Sequence, residues 1–224
     1  MPAPMLAFAA IGTYHRAMLD TLYRFFIDGS GWIATWPTRL LALIWLAWVM
    51  SWVGASLWQG RTQKQVATWN SLAWRIPILF GGIFLAPWTA YGLNLKPLYD
   101  VGVAGTYWLA VLTLAGIAFT WWGRIYLGQF WSNAVTRKED HRVVDTGPYG
   151  LVRHPIYTGL IFGIFATALA VGTLTALLGA LCIAFGQWQK ASTEERFLSA
   201  ELGPEHYGPY CRRVPMLVPF LPPR

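Results

Sequence analysis

The chain has 224 residues, 55% of them hydrophobic and only 12% charged, about half the charged share of an average soluble domain, which excludes a protein whose surface water alone could solvate. Its formal charge of +7 is spread among apolar runs, which excludes a dense nucleic-acid-binding face and fits attraction to an anionic leaflet. Cys182 and Cys211 lie in an apolar run and a polar tail, so they are not expected to pair and have no metal-ligand spacing.

The N-terminus has no signal-peptide layout, because Pro2 and Pro4 precede a stretch interrupted by His15, Arg16, Asp20, Arg24 and Asp28. Residues 5–27 mix apolar and charged positions as an amphipathic helix lying in the membrane interface does. Residues 40–58 are uncharged and long enough to cross about 30 Å of hydrocarbon. Residues 76–93, with Pro77 and Pro87, predict a second span, and residues 101–122 a third. Residues 156–188 are apolar for too long to be one span of about 20 residues, and Gly172-Thr173 near the middle predicts a tight hairpin of two short helices.

The expected fold is therefore an all-α polytopic membrane protein of about five transmembrane helices. An N-terminal part over 1–120 precedes a region over 121–224 that contains the hairpin. About 13 Lys and Arg flank the spans on the side holding residues 59–75 and both polar islands, against about 4 on the other. The islands and the C-terminus are thus expected to face the cytoplasm, with the inner cell membrane as the location.

Those islands, residues 124–154 and 189–213, hold most of the reactive side chains. In the first, Gly147-Pro148 predicts a turn and Pro155 a helix start, where free amides could meet an anion. Tyr149, Arg153, His154 and Tyr157 lie within nine residues at the lip of the hairpin, where such groups are costly to bury without partners. In the second, Lys190 and Glu194 form an i,i+4 pair, and Glu195 lies about 100° around the helix. Taken singly, each is equally a turn, a snorkelling anchor or a solvated helix end. Pro215 and Pro219 are expected to keep the tail out of regular helix.

The order His141, Gly147-Pro148-Tyr149, Arg153-His154-Pro155-x-Tyr157-x-Gly159, Glu194-Glu195-x-x-Leu198 and a tail beginning Tyr207-x-x-Tyr210 and ending Val214-Pro215 resembles the isoprenylcysteine carboxyl methyltransferase family and its phospholipid methyltransferase relatives. The resemblance covers about residues 121–220, and its Gly203-to-Tyr207 interval is one residue longer than the family's. It implies a cytoplasmic S-adenosylmethionine pocket made by His141, Gly147, Pro148, Tyr149, Arg153, His154, Pro155 and Tyr157, closed by Glu195, Tyr207 and Tyr210. It also implies Lys190 and Glu194 at the reacting end and a lipophilic small-molecule or lipid acceptor entering from the membrane. Methyl transfer from a sulfonium is a displacement that needs alignment and dryness but no metal. A carboxylate acceptor needs no base, whereas an amine would need a glutamate to take its proton.

Two other readings stand beside this one. The first is an NADPH-dependent membrane reductase of the sterol-reductase type, although no Gly-x-Gly-x-x-Gly is present. The second is a non-catalytic lipid-binding scaffold. Neither nucleic acid nor an obligate protein partner is expected.

Overall fold

The computed structural model describes residues 36–56, 62–65, 68–86, 89, 93, 95–128, 136–138 and 144–221. The expected interfacial helix over 5–27 and the candidate His141 lie outside the described residues. The elements in chain order are α1 (Trp36–Ser56), β1 (Thr62–Gln65), α2 (Thr68–Leu85), α3 (Gly102–Leu127), β2 (Thr136–Lys138), a 3-10 turn (Gly147–Gly150), α4 (Pro155–Val171), α5 (Leu174–Leu202) and α6 (Pro204–Arg213). Among the described residues the fold is helical except for one antiparallel ribbon, in which Thr62 pairs with Lys138 and Gln65 with Thr136.

Among the described residues, five helices of 17 residues or more overlap the five expected stretches, with shifted ends. α1 and α3 are long and apolar enough to cross a bilayer, and α4 and the apolar part of α2 are shorter. α2 begins at Thr68 and ends at Leu85, eight residues ahead of the expected stretch at each end. Pro87 stands two residues past its end, where its ring and missing N–H disfavour continuation. α3 runs five residues past its expected end to Leu127.

The hairpin turns at Gly172-Thr173 as the sequence predicts. Gly172 takes φ 68° and its N–H bonds to the Ala168 carbonyl, and the Thr173 side chain accepts from the Ala176 amide at 3.3 Å to start α5. A Cβ on Gly172 would lie 2.7 Å from the Tyr99 carbonyl, so glycine serves both the left-handed turn and the docking of the α2–α3 connection. The two arms differ in length. α4 has 17 residues, whereas α5 has 29, about 44 Å at 1.5 Å per residue, so the helix runs past its apolar stretch and carries the first part of the second polar island with it.

The helices pack in the spatial order α1, α3, α4, α5, α2. Small residues set the closest contacts, as they do where lipid offers no hydrophobic drive for helix association. A Cβ on Gly116 of α3 would stand 2.6 Å from the Gly159 carbonyl of α4, and one on Gly179 of α5 would stand 2.7 Å from the Gly81 carbonyl of α2. Hydroxyls reinforce the contact: Thr120 donates to the Ile156 carbonyl at 3.2 Å, and Trp45 of α1 donates to Thr167 of α4 at 2.9 Å. The outward faces of α1 and α3 are apolar and bare, with Leu46, Met50, Val53, Val103, Trp108 and Val111 each more than half exposed. The buried Arg124 guanidinium joins the ends of α3 and α1, donating to the Gly128 and Ala55 carbonyls at 2.8 Å each.

The tail differs from expectation in one respect. Residues 204–213 form α6, with Pro204 in its first turn and Pro209 inside it; a proline in the first turn loses no hydrogen bond. Beyond Arg213 the chain is irregular, as Pro215 and Pro219 require.

Candidate active site

The Gly147–Gly150 turn brings the chain to Arg153 and His154 just before α4 begins at Pro155. Pro148 and Pro155 are fully buried. The Tyr149 hydroxyl donates to the Gly123 carbonyl at 3.4 Å, and the Tyr149 carbonyl accepts from Tyr210 at 2.8 Å. Tyr149 therefore joins α3 to the tail beneath the cluster. Tyr207, Tyr210 and Val214 form a small core against Leu198 and Leu202, so the tail tyrosines support the site through packing and one hydrogen bond.

Arg153 holds Glu195 in a two-point grip, with Nε to Oε1 at 2.6 Å and Nη2 to Oε2 at 3.0 Å. Its Nη1 donates to the Cys211 carbonyl at 2.9 Å and also to the Val214 carbonyl. The guanidinium is thus committed to α5 and the tail at once, a planar fork that Lys could not reproduce. His154 sits between the two carboxylates, with Nε2 3.2 Å from Glu195 Oε1 and Nδ1 3.4 Å from Glu194 Oε2. Its ring stacks on Tyr157 at 5.5 Å, and the Tyr157 hydroxyl donates to Glu194 Oε1 at 2.5 Å.

Lys190, one turn deeper on α5, is buried with its ammonium 5.1 Å from the centre of the Tyr157 ring and 5.0 Å from that of Trp74 on α2. Cation–π attraction of this kind strengthens as water is excluded. Sequence reasoning missed Trp74, since only folding brings α2 to α5. It also missed Gln187, whose Oε1 is buried with no hydrogen-bond partner. Gln187, Lys190 and Glu194 are spaced i, i+3, i+7 on one helical stripe, a signal that was available before folding.

The charges reinforce one another. Burial favours a neutral Glu195 carboxyl, but hydrogen bonds from His154 and Arg153 outweigh it and hold the group at about 2. Burial acts the same way on Glu194, and the hydrogen bond with His154 and the nearby Lys190 overcome it, keeping the carboxylate ionised below its ordinary range. His154 is pulled down by burial and lifted further by its bonds to both glutamates, so it is the imidazolium that is favoured. Burial lowers Lys190, an effect that Glu194 offsets in part. Among the described residues, no group of three or more His, Cys, Asp and Glu is placed to hold a metal ion.

Residues 108–200, which include all of α4, most of α5 and both halves of this cluster, match the sequence profile of the isoprenylcysteine carboxyl methyltransferase (ICMT) family. This segment carries the ICMT family signature. Over 101 residues the chain is 33% identical to the protein-S-isoprenylcysteine O-methyltransferase of Schizosaccharomyces pombe, covering 44% of this chain and 42% of that one. It is 31% identical over 88 residues to protein-S-isoprenylcysteine O-methyltransferase B of Arabidopsis thaliana, covering 39% and 44%. It is also 31% identical over 118 residues to the cobalt-zinc-cadmium resistance protein CzcN of Cupriavidus metallidurans, covering 50% of each. The chain spans about half the length of the curated relatives it matches. Of the elements around the site, α2 with Trp74 and the tail beyond residue 200 lie outside the ICMT match.

Proposed function

We propose that this chain is an integral membrane S-adenosylmethionine-dependent methyltransferase acting on a lipophilic acceptor. Five spans would come from α1, α2, α3 and the 156–188 hairpin. The site and C-terminus would lie on the cytoplasmic side of the inner cell membrane, and residues 121–224 would form the catalytic region. The observation that carries the proposal is the convergence of Arg153, His154 and Tyr157 with Glu194 and Glu195, inside the segment that matches ICMT.

The residues present fit the cofactor. Buried carboxylates suit its ammonium and sulfonium, aromatic faces suit a sulfonium, and the unpartnered Gln187 oxygen offers an acceptor to a ligand donor. When bound, S-adenosylmethionine supplies the electrophilic methyl. Tyr157, His154 and Glu194 would line its polar end, and Tyr149, Gly147, Pro148 and Pro155 would shape the wall. Arg153, Glu195, Tyr207 and Tyr210 would position the cover that excludes water. Lys190 would orient the acceptor's nucleophile.

The electrostatics favour one acceptor chemistry. A general base works best with a pKa near the operating pH, and Glu194 is held below the ordinary carboxylate range. It is therefore a poor proton acceptor for an amine. A carboxylate acceptor needs no base and would be drawn to Lys190. The apolar tail of such an acceptor would remain in the bilayer, each buried CH₂ contributing about 0.8 kcal/mol.

Calorimetric titration of the detergent-solubilised protein with S-adenosylhomocysteine tests the proposal, with NADPH as the control ligand. Saturable binding that Glu194→Gln weakens at least tenfold, and that Lys190→Met changes little, is the expected result. Binding of NADPH alone would replace the transferase with the reductase. Binding of neither would leave a lipid-binding scaffold.

A further inference from the structure

The tail beyond α6 is pinned on one side and bare on the other. The Pro215 and Met216 carbonyls accept from the Arg153 and His154 amides at 2.8 and 3.1 Å. The Leu217 carbonyl accepts from the Thr158 hydroxyl at 2.7 Å. Residues 215–217 therefore lie across the first turn of α4. Just past that crossing, Val218 is 53%, Phe220 95% and Leu221 55% exposed. Phe220 is also the one non-glycine residue at positive φ, 66°, among the described residues, a backbone region that bulky side chains seldom enter. Nothing in the described protein covers its ring. Arg212 and Arg213, in the last turn of α6, are exposed as well, with Arg213 donating to the Asp145 carboxylate.

We propose that Val218, Phe220 and Leu221 insert into the interfacial layer of the bilayer, with Arg212 against anionic headgroups, so that the cover of the site is anchored to the lipid surface. Depth selects the occupant. Thr158 belongs to the first turn of α4, and Pro155–Val171 contains no charged residue, so the tail leaves the protein where an apolar helix enters the hydrocarbon. Charge selects it too, because an exposed arginine beside an apolar tip matches an anionic leaflet. This inference rests on the membrane placement of the helices proposed above and not on methyl transfer.

The test uses the full chain in nanodiscs containing anionic lipid, with Cys182→Ser and Cys211→Ser as background. Single cysteines at Phe220→Cys, at Val111→Cys on the bare face of α3 and at Glu205→Cys on α6 each receive an environment-sensitive nitrobenzoxadiazole label. Lipids with a nitroxide near the headgroup act as quenchers. At position 220 the emission should be blue-shifted, with quenching at least about twofold stronger than at 205, and Val218→Ser with Leu221→Ser should reduce it. Solvent-like emission at 220 with protected, blue-shifted emission at 111 would overturn the anchor and leave the spans intact. Solvent-like emission at 111 would overturn the membrane placement itself.

Discussion

His154 is enclosed by Glu194, Glu195, Tyr157 and Arg153, with Lys190 beyond Tyr157, and this enclosure fixes the sign of its pH dependence. Its folded pKa is raised, so its contribution to stability is complete below about 6.5, the unfolded value, and is lost as pH rises through the folded value. Glu195 behaves oppositely, because its share is present above about 4.3 and lost only as pH falls toward about 2. The melting temperature should therefore hold a plateau between about pH 5 and 6.5 and decline toward alkaline pH. A His154→Gln variant, measured by the same thermal scan, should lose that alkaline decline. The individual members of this cluster were legible as a motif, since Arg153-His154 and Glu194-Glu195 are each contiguous. Which carboxylate takes which partner was not legible, because it depends on the rotation of α5 against α4.

At the scale of elements, the hairpin and its turn could be read directly, because Gly172-Thr173 interrupts an otherwise unbroken apolar run. The ends of α2 could not, because hydropathy marks the lipid layer and a helix can extend beyond it, as Thr68–Arg75 does. Helix α6 was not legible either, because Pro215 and Pro219 predict a tail without regular helix, whereas residues 204–213 ahead of them are helical and tertiary contacts of Tyr207 and Tyr210 support them. The glycine contacts between helices make a definite prediction. Gly116→Leu should push α3 from α4 by placing side-chain atoms where the Gly159 carbonyl and Gly163 backbone now lie, at a cost of about 1–3 kcal/mol or more. Gly82→Leu, with nothing within 4 Å of its Cβ position, is the matched control. Size-exclusion profiles and melting temperatures in detergent would separate them.

At the scale of the whole molecule, one guanidinium, that of Arg153 just ahead of α4, bonds to α5 and the tail together. Replacing Arg153 by Met leaves the partly buried Glu195 beside His154 without its two-point partner and frees the Cys211 and Val214 carbonyls. Loss of one member of a fully buried pair costs about 3–5 kcal/mol, and less where water reaches the carboxylate. Limited proteolysis should then cut after residue 202 far faster than in the parent protein, while α3 and α4 remain protected. Unchanged cleavage would show that the tail is held without the Arg153 side chain, by the Tyr207 and Tyr210 core and the bonds to the Pro215, Met216 and Leu217 carbonyls. The spatial order of the helices was not legible in the sequence, because the apolar faces of all five are chemically alike and only the positions of small residues distinguish neighbours.

Lys190, Glu194 and Glu195 stand on the same uninterrupted 29-residue helix whose first half is an arm of the hairpin, whereas Trp74 and Tyr157 stand on separate helices. Nothing in α5 decouples the part matched to lipid from the part matched to chemistry. A bilayer too thin or too thick for the hairpin makes its helices tilt, and a rigid rod tilted at one end is displaced at the other. The vertical alignment of the carboxylates with their aromatic neighbours should accordingly depend on acyl-chain length, so that bilayer thickness becomes an input to the site.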